Sequence, residues 1–151
     1  MSRPRKIRSV SKPPVYSRFK PIGVPARLLQ VVELSVDEYE ALRLADYEGL
    51  EHEVAAKNMG ISRPTFTRLI DQARKKIALG IVEGKEISIG GGDFQFIKHI
   101  VRCRHCGALY DYADIPPEKC PECNGLELEN LNQYYLRGRH GHGRGRFGHG
   151  R

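Results

Sequence analysis

Apolar residues recur at helical spacing through the middle of the chain and alternate or cluster at its flanks. Val36, Tyr39, Leu42 and Ala45 fall three apart behind Ser35, which forms a capping box with Glu38, so a helix is predicted from Ser35 to near Gly49. A second helix is predicted from about Leu50 to Asn58. A third follows Ser62, a good N-cap, with Pro64 in the first turn where no intrahelical N–H is required, and ends at Gly80 to Gly84. Leu28 to Leu34 is a β-branched run that reads as a strand. KEISI and DFQFIKHIV flank Gly90, Gly91 and Gly92, which predicts a hairpin or a strand, glycine hinge and strand. The expected fold class is mainly α: a helical helix-turn-helix domain, then a small β hairpin and a four-cysteine metal ribbon, with basic disordered ends.

Within the helical region, Glu51 to Ile77 has the layout of a helix-turn-helix. Ala55 and Ala56 are small enough for two helices to cross closely, Gly60 can take the positive φ of a sharp turn, and Met59, Ile61, Phe66 and Leu69 supply apolar contacts. The remaining residues Ser62, Arg63, Thr65, Thr67, Arg68 and Asp71 fall mostly on the outer face of the first turns, where a recognition helix meets base edges. On this reading Arg63 and Arg68 contact guanine, Thr65 and Thr67 read methyl groups or phosphate, and Ser62, Arg74 and Lys75 anchor the backbone.

Charge sharpens this picture. The 151 residues carry a formal net charge of +7, yet residues 34–133 hold more acid than base, and the excess of Lys and Arg lies in residues 1–33 and 134–151 and on the third helix. Positive charge is gathered where a polyanion is met. Residues 1–27, basic and Pro-rich, are expected to form an extended arm whose Arg3, Arg5, Lys6 and Arg8 enter an adjacent minor groove. Asp37, Glu38, Glu40, Asp46, Glu48, Glu51 and Glu53 make the first helix region acidic, so it is expected to pack behind the reading head or to meet a protein partner. The expected division is 1–27 arm, 28–84 helix-turn-helix domain, 85–133 hairpin and ribbon, and 134–151 a Gly/Arg/His-rich disordered tail with His140, His142 and His149.

All four cysteines lie in two C-x2-C pairs, Cys103 with Cys106 and Cys120 with Cys123. That spacing lets two turns bring four thiolates around one metal. Zinc is the expected ion, with iron as the alternative, because a tetrahedral four-thiolate site accepts both. Four protein ligands leave no open position for a substrate, and no nucleophile and base pair or phosphate loop stands out, so an enzyme is not expected. No run approaches the roughly 18 apolar residues of a membrane span, and the basic start has no apolar segment behind it, so no membrane partner and a cytoplasmic location are expected.

The strings RPRK, FKP-x-G-x-P at Phe19 to Pro25, DEYEALRLADYEGL at Asp37 to Leu50 and AAKNMGISRPTFTRLIDQARKKIA at Ala55 to Ala78 occur together and in order. In this the chain resembles a family of uncharacterised prokaryotic proteins predicted to bind DNA through a helix-turn-helix similar to region 4 of sigma factors. The resemblance covers roughly residues 1 to 92. It implies that Arg63, Thr65, Thr67 and Arg68 contact the major groove of double-stranded DNA, although Pro64 departs from the charged residue usual at its position. The segment CRHCGALYDYADIPPEKCPECN looks like a zinc ribbon and also resembles short rubredoxin-like iron domains. Two functions from different classes follow: a transcriptional regulator that binds DNA, with the transcription machinery or a second copy as further partners, and an iron- or metal-responsive redox or sensor protein.

Overall fold

The computed structural model describes residues 6–112 and 115–137. In chain order, β1 (Arg8–Val10), β2 (Arg18–Phe19) and β3 (Val31–Leu34) precede three helices, α1 (Val36–Leu42), α2 (His52–Met59) and α3 (Arg63–Glu83). β4 (Glu86–Ile89), β5 (Phe94–Phe96), β6 (His99–Cys103), β7 (Leu109–Tyr112), β8 (Leu128–Asn130) and α4 (Leu131–Leu136) follow. Ser35 caps α1 with the reciprocal capping box to Glu38, and a wider helical turn over Arg43–Tyr47 extends it towards Gly49, whose φ is +72°.

The strands form three small sheets among the described residues. β1 pairs in parallel with β5; β4 lies between β3, parallel to it, and β2, antiparallel; β6 lies between β7 and β8, antiparallel to both. The expected mainly α class is therefore wrong: this is an α/β fold with helices and sheets in one structure. The reason is physical. Strands of two or three residues are too short to show a period, and each is made by pairing with a partner far along the chain, such as Arg8 with Phe94 and Arg18 with Ser88. The stretch around Gly90 to Gly92 resolves as a strand, hinge and strand, because β4 and β5 belong to different sheets. DFQFIKHIV, read as one strand, breaks into β5 and β6 at Ile97 and Lys98.

Two apolar clusters are joined by α3, which is 21 residues long. Its first half contributes Phe66, Leu69 and Ile70 to a cluster with Ala41, Leu44, Ala55, Ala56 and Met59. Its second half gives Ala73 to a cluster with Val10, Leu34, Val36, Ile87, Ile89, Phe94 and Tyr135. Gly80 is required where α3 meets β4, since a Cβ there would lie 2.7 Å from Ile87 Cγ1. Tyr135 on α4 donates its hydroxyl to the Pro14 carbonyl at 2.9 Å, so the C-terminal helix rests on the N-terminal arm.

The acidic residues of α1 do not form an outward-facing surface. Asp37, Glu38, Glu40 and Glu86 are all buried, and each meets a cation: Asp37 meets Arg8, Glu38 meets Lys76, Glu40 meets Arg43 and Glu86 meets Arg18. Glu40 accepts from Arg43 Nε at 3.0 Å and Nη2 at 2.7 Å, and from the Ser11 amide at 3.3 Å. Removing one member of such a pair strands the other away from water. Glu40→Ala is expected to lower stability by about 3 kcal/mol or more, whereas the exposed Glu33→Ala is expected to change it by less than about 0.5 kcal/mol, as read from the midpoint of urea unfolding. Equal effects from the two substitutions would show that the buried pair carries no special weight.

Candidate functional site

The turn between α2 and α3 is built by local rules. Gly60 terminates α2 in the left-handed region at φ +70°, and the Ile61 amide donates back to the Ala56 carbonyl at 3.0 Å. Ser62 then takes extended backbone and caps α3, its hydroxyl accepting from the Thr65 amide at 3.3 Å, with Pro64 in the first turn. Ala55 and Ala56 are buried in the crossing. With Phe66, Leu69 and Ile70 turned inward, the first turns of α3 leave Ser62, Arg63 and Arg68 exposed and Thr65 and Thr67 half-buried.

The sequence-predicted residues are not equivalent in this setting. Arg63 and Arg68 stand exposed on the first two turns, and Lys75 is exposed further along. Ser62 and Thr65 hydroxyls lie 2.8 Å apart. Thr67 Oγ1 lies 3.0 Å from His52 Nδ1, and the His52 ring meets Phe66 edge-on with centroids 5.3 Å apart, so Thr67 is tied to the start of α2. Arg74 is held by Asp46 through two bonds, at 3.0 and 2.7 Å. The bond between Arg74 and Asp46 holds the Asp46 carboxyl below the usual carboxylate range and raises the Arg74 guanidinium. Lys6 is exposed, whereas Arg8 is bound to Asp37; Arg3, Arg5 and the tail histidines lie outside the described residues. Nothing in the sequence pattern singled out His52 or the partners of Arg74 and Arg8, because these contacts join segments distant in sequence.

The four cysteines converge at the far end of β6. Two knuckles of the same design hold them. Gly107 N–H donates to the Cys103 carbonyl at 2.9 Å, and Cys103 N–H donates to the Ala108 carbonyl at 2.9 Å. The second knuckle repeats both bonds, from Asn124 to Cys120 at 2.8 Å and from Cys120 to Gly125 at 2.9 Å. Each needs a left-handed residue just after its second cysteine, supplied by Gly107 at φ +79° and Asn124 at φ +60°. All four Sγ atoms lie within 4.8 Å of one another, and the pairs Cys103 with Cys123 and Cys106 with Cys120 are 3.6 Å apart. That matches the edge of about 3.8 Å for a tetrahedron with metal–sulfur bonds of about 2.3 Å.

The surroundings fit a metal for two further reasons. A Cβ at Gly125 would lie 3.2 Å from Cys123 Sγ and 3.4 Å from Cys103 Sγ, so glycine lets the backbone close over the sulfurs. The thiols also compete for charge. Burial pushes Cys120 up, but hydrogen bonds from the Tyr110 hydroxyl, 2.9 Å away, and from the amides of Cys123 and Glu122 outweigh it and bring it down to about 6. At Cys123 the Gly125 amide pulls down, but burial and the three neighbouring thiols push it up to about 12. Four adjacent sulfurs cannot all ionise alone, whereas a bound cation permits it. Tyr110 and Gly125 belong to this site but were missed by reading the cysteines alone; the pairing of β7 with β6 is what brings Tyr110 there. The group can therefore hold one metal ion, with Cys103, Cys106, Cys120 and Cys123 as ligands. Native mass spectrometry is expected to find one metal ion per chain, and Cys120→Ser or a strong chelator to lower the thermal midpoint; metal-free protein with an unchanged midpoint would exclude a structural ion.

No helix among the described residues is long and apolar enough to cross a membrane. Residues 1–97 match the family model described as "Protein of unknown function DUF134". The UPF0251 protein of Chloroherpeton thalassium is 46% identical over 144 residues, 93% of this chain and 94% of that protein. The UPF0251 protein of Desulforudis audaxviator is 43% identical over 146 residues, 95% of each chain, and that of Rhodospirillum rubrum is 55% identical over 92 residues, 61% of this chain and 64% of that one. No solved structure matches the chain. With a family model that matches residues 1–97 and relatives aligned over nearly its full length, the chain belongs to the DUF134 family of proteins of unknown function, and these relatives carry the name UPF0251 protein.

Proposed function

We propose that this protein binds double-stranded DNA in a sequence-specific manner and regulates transcription, with the first turns of α3 in the major groove. The observation that carries the reading is the combination of a left-handed Gly60, the Ser62 cap and two exposed arginines, Arg63 at the first position of α3 and Arg68 on its face away from Phe66, Leu69 and Ile70. Arg63 and Arg68 read guanine, Ser62 and Thr65 contact base or phosphate at the helix start, and Lys75 meets the backbone. Thr67 and Arg74 serve mainly to hold α3 against His52 and Asp46. Lys6 leads the arm, with Arg3 and Arg5, towards the neighbouring minor groove. The role is that of a binding protein and not of an enzyme.

The four-cysteine site fits this reading as a zinc ribbon that folds its own segment, too short to build an apolar core. One observation favours a second reading: Cys106 is exposed, which gives a bound iron a solvent-facing edge through which an electron could pass, as in a redox sensor. The visible absorption spectrum of protein purified without chelator separates them. A colourless protein containing zinc is expected, and a coloured, redox-active iron centre would favour the sensor.

Binding to a pool of random duplexes at two salt concentrations, followed by sequencing of the retained DNA, tests the main reading. A short motif is expected at the higher salt. On that motif Arg63→Ala and Arg68→Ala are each expected to cost about 1–3 kcal/mol and to relax one position, while Lys75→Ala weakens all sequences alike. Arg74→Ala is expected to cost less than either, because Asp46 already occupies it. Retention only at low salt without a motif, or equal weakening of every sequence by Arg63→Ala and Arg68→Ala, would refute base reading.

A further inference from the structure

The last turns of α3 break the amphipathic pattern of the helix. Ile77, Ala78, Leu79, Gly80, Ile81 and Val82 are apolar in succession, and at about 100° per residue they point to every side of the helix. Ile77 packs against one apolar cluster and Gly80 is buried against Ile87, whereas Ala78, Leu79, Ile81 and Val82 stay exposed. A helix that is apolar all round belongs inside a structure.

The loop between β2 and β3 adds to this end of the molecule. Phe19 of β2 pairs with Ile87 and Val31 of β3 pairs with Glu86, so both ends of the loop sit at the start of β4, just after α3 stops at Glu83. Ile22 on that loop is 101% exposed, and Phe19, Leu28, Ile81 and Val82 are between 53% and 83% exposed. Taking roughly 200 Å² for a fully exposed residue of this size, these side chains offer on the order of 750 Å², near the roughly 800 Å² per partner of a standard specific interface. That exceeds the roughly 300–600 Å² of the largest apolar patch on a typical monomer. Residues 1–5, 113–114 and 138–151 hold Met1, Ala113 and Phe147 as their only hydrophobic side chains, too few to cover such an area.

The same surface carries a groove and a side chain that can fill one. The groove, of about 260 Å³, is lined by Phe19, Pro21, Gly80, Ile81 and Ile87, and Ile22, next to Pro21, projects into solvent. Around it stand Lys20, Arg27 and Lys85 together with Glu83. Knob and groove, and both signs of charge, on one patch are what an isologous contact requires, because each feature meets its counterpart on the other copy. We propose that two copies of this chain pair about a two-fold axis through the end of α3 and the loop between β2 and β3, with Ile22 of each copy seated in the groove of the other. The pairing does not rest on DNA binding. It leaves the first turns of α3 free, since the helix is 21 residues long and they lie about 30 Å from the contact; where α3 reads DNA, the two-fold pair presents two reading ends and calls for an inverted repeat.

The test is sedimentation velocity of the full chain, purified without chelator and free of DNA. A species of twice the chain mass is expected, its fraction falling on dilution. Ile22→Asp and Val82→Glu are each expected to raise the dissociation constant by about tenfold or more, whereas Ile97→Asp, at an exposed apolar residue between β5 and β6, is expected to leave it unchanged. Thermal melts establish that the variants are folded, and should one of the first two fail to fold, the other decides. A dimer that tolerates both substitutions, or that Ile97→Asp weakens equally, would overturn the assignment of the surface. A mass that keeps growing with concentration would overturn the two-fold contact. A monomer at every concentration would overturn the pairing itself, and its binding to phosphatidylserine vesicles would assign this end to a lipid surface instead.

Discussion

Asp37, Glu38, Glu40 and Glu86 are buried carboxylates whose cations come mostly from distant segments: Arg8 and Arg18 from the N-terminal arm, Lys76 from the middle of α3, and only Arg43 from nearby. A charge taken out of water must find its counter-charge in place, so these pairs fix where the arm and α3 lie against α1 and β4. The arm follows from this constraint. Arg8 and Arg18 lie within β1 and β2, and the same residues that neutralise Asp37 and Glu86 bring those strands to β5 and β4. A segment that is basic, Pro-rich and poor in apolar residues is thereby built into the fold through its charges.

The same constraint reaches the proposed reading head. α3 spans both apolar clusters, and its position is set by Lys76 on Glu38, Arg74 on Asp46 and Thr67 against His52. These contacts sort the positive residues of one helix into two sets. Arg74 and Lys76 hold α3 to its own protein, while Arg63, Arg68 and Lys75 project from it. Rigid support of this kind is what a base-reading side chain needs, because a hydrogen bond to a base edge tolerates little displacement. In the same charge layer, one oxygen each of Asp37, Glu38 and Glu86 is buried without a hydrogen-bond partner among the described residues.

The ribbon obeys a different rule. Its cysteines are held by two copies of one backbone turn, each complete within six residues, and the apolar content of the segment is small. Local hydrogen bonds set the knuckles, and a metal ion held by the four cysteines would supply the cohesion that a core supplies elsewhere. The ribbon is joined to the rest through Arg102, which donates to the Val15 carbonyl at 2.9 Å and lies 4.9 Å from the Tyr16 ring centroid, and through Tyr135 on Pro14.

What the sequence by itself determined is the set of features whose signals are local. The Ser35 capping box, the Gly60 turn with the Ser62 cap, the apolar face of α3 and the C-x2-C pairs all depend on residues within a few positions of one another, so spacing alone carries them. The tertiary structure decided the rest. The short strands of the arm, the burial of the α1 acids, the capture of Arg8 by Asp37 and Arg74 by Asp46, and the approach of Tyr110 to Cys120 are all pairings across long stretches of chain. A mainly α class was the natural reading because the helices advertise a period and two- or three-residue strands do not. Charge is incomplete as a guide for the same reason: composition counts Lys and Arg, but only the fold shows that Arg8 and Arg74 already have acidic partners within the chain.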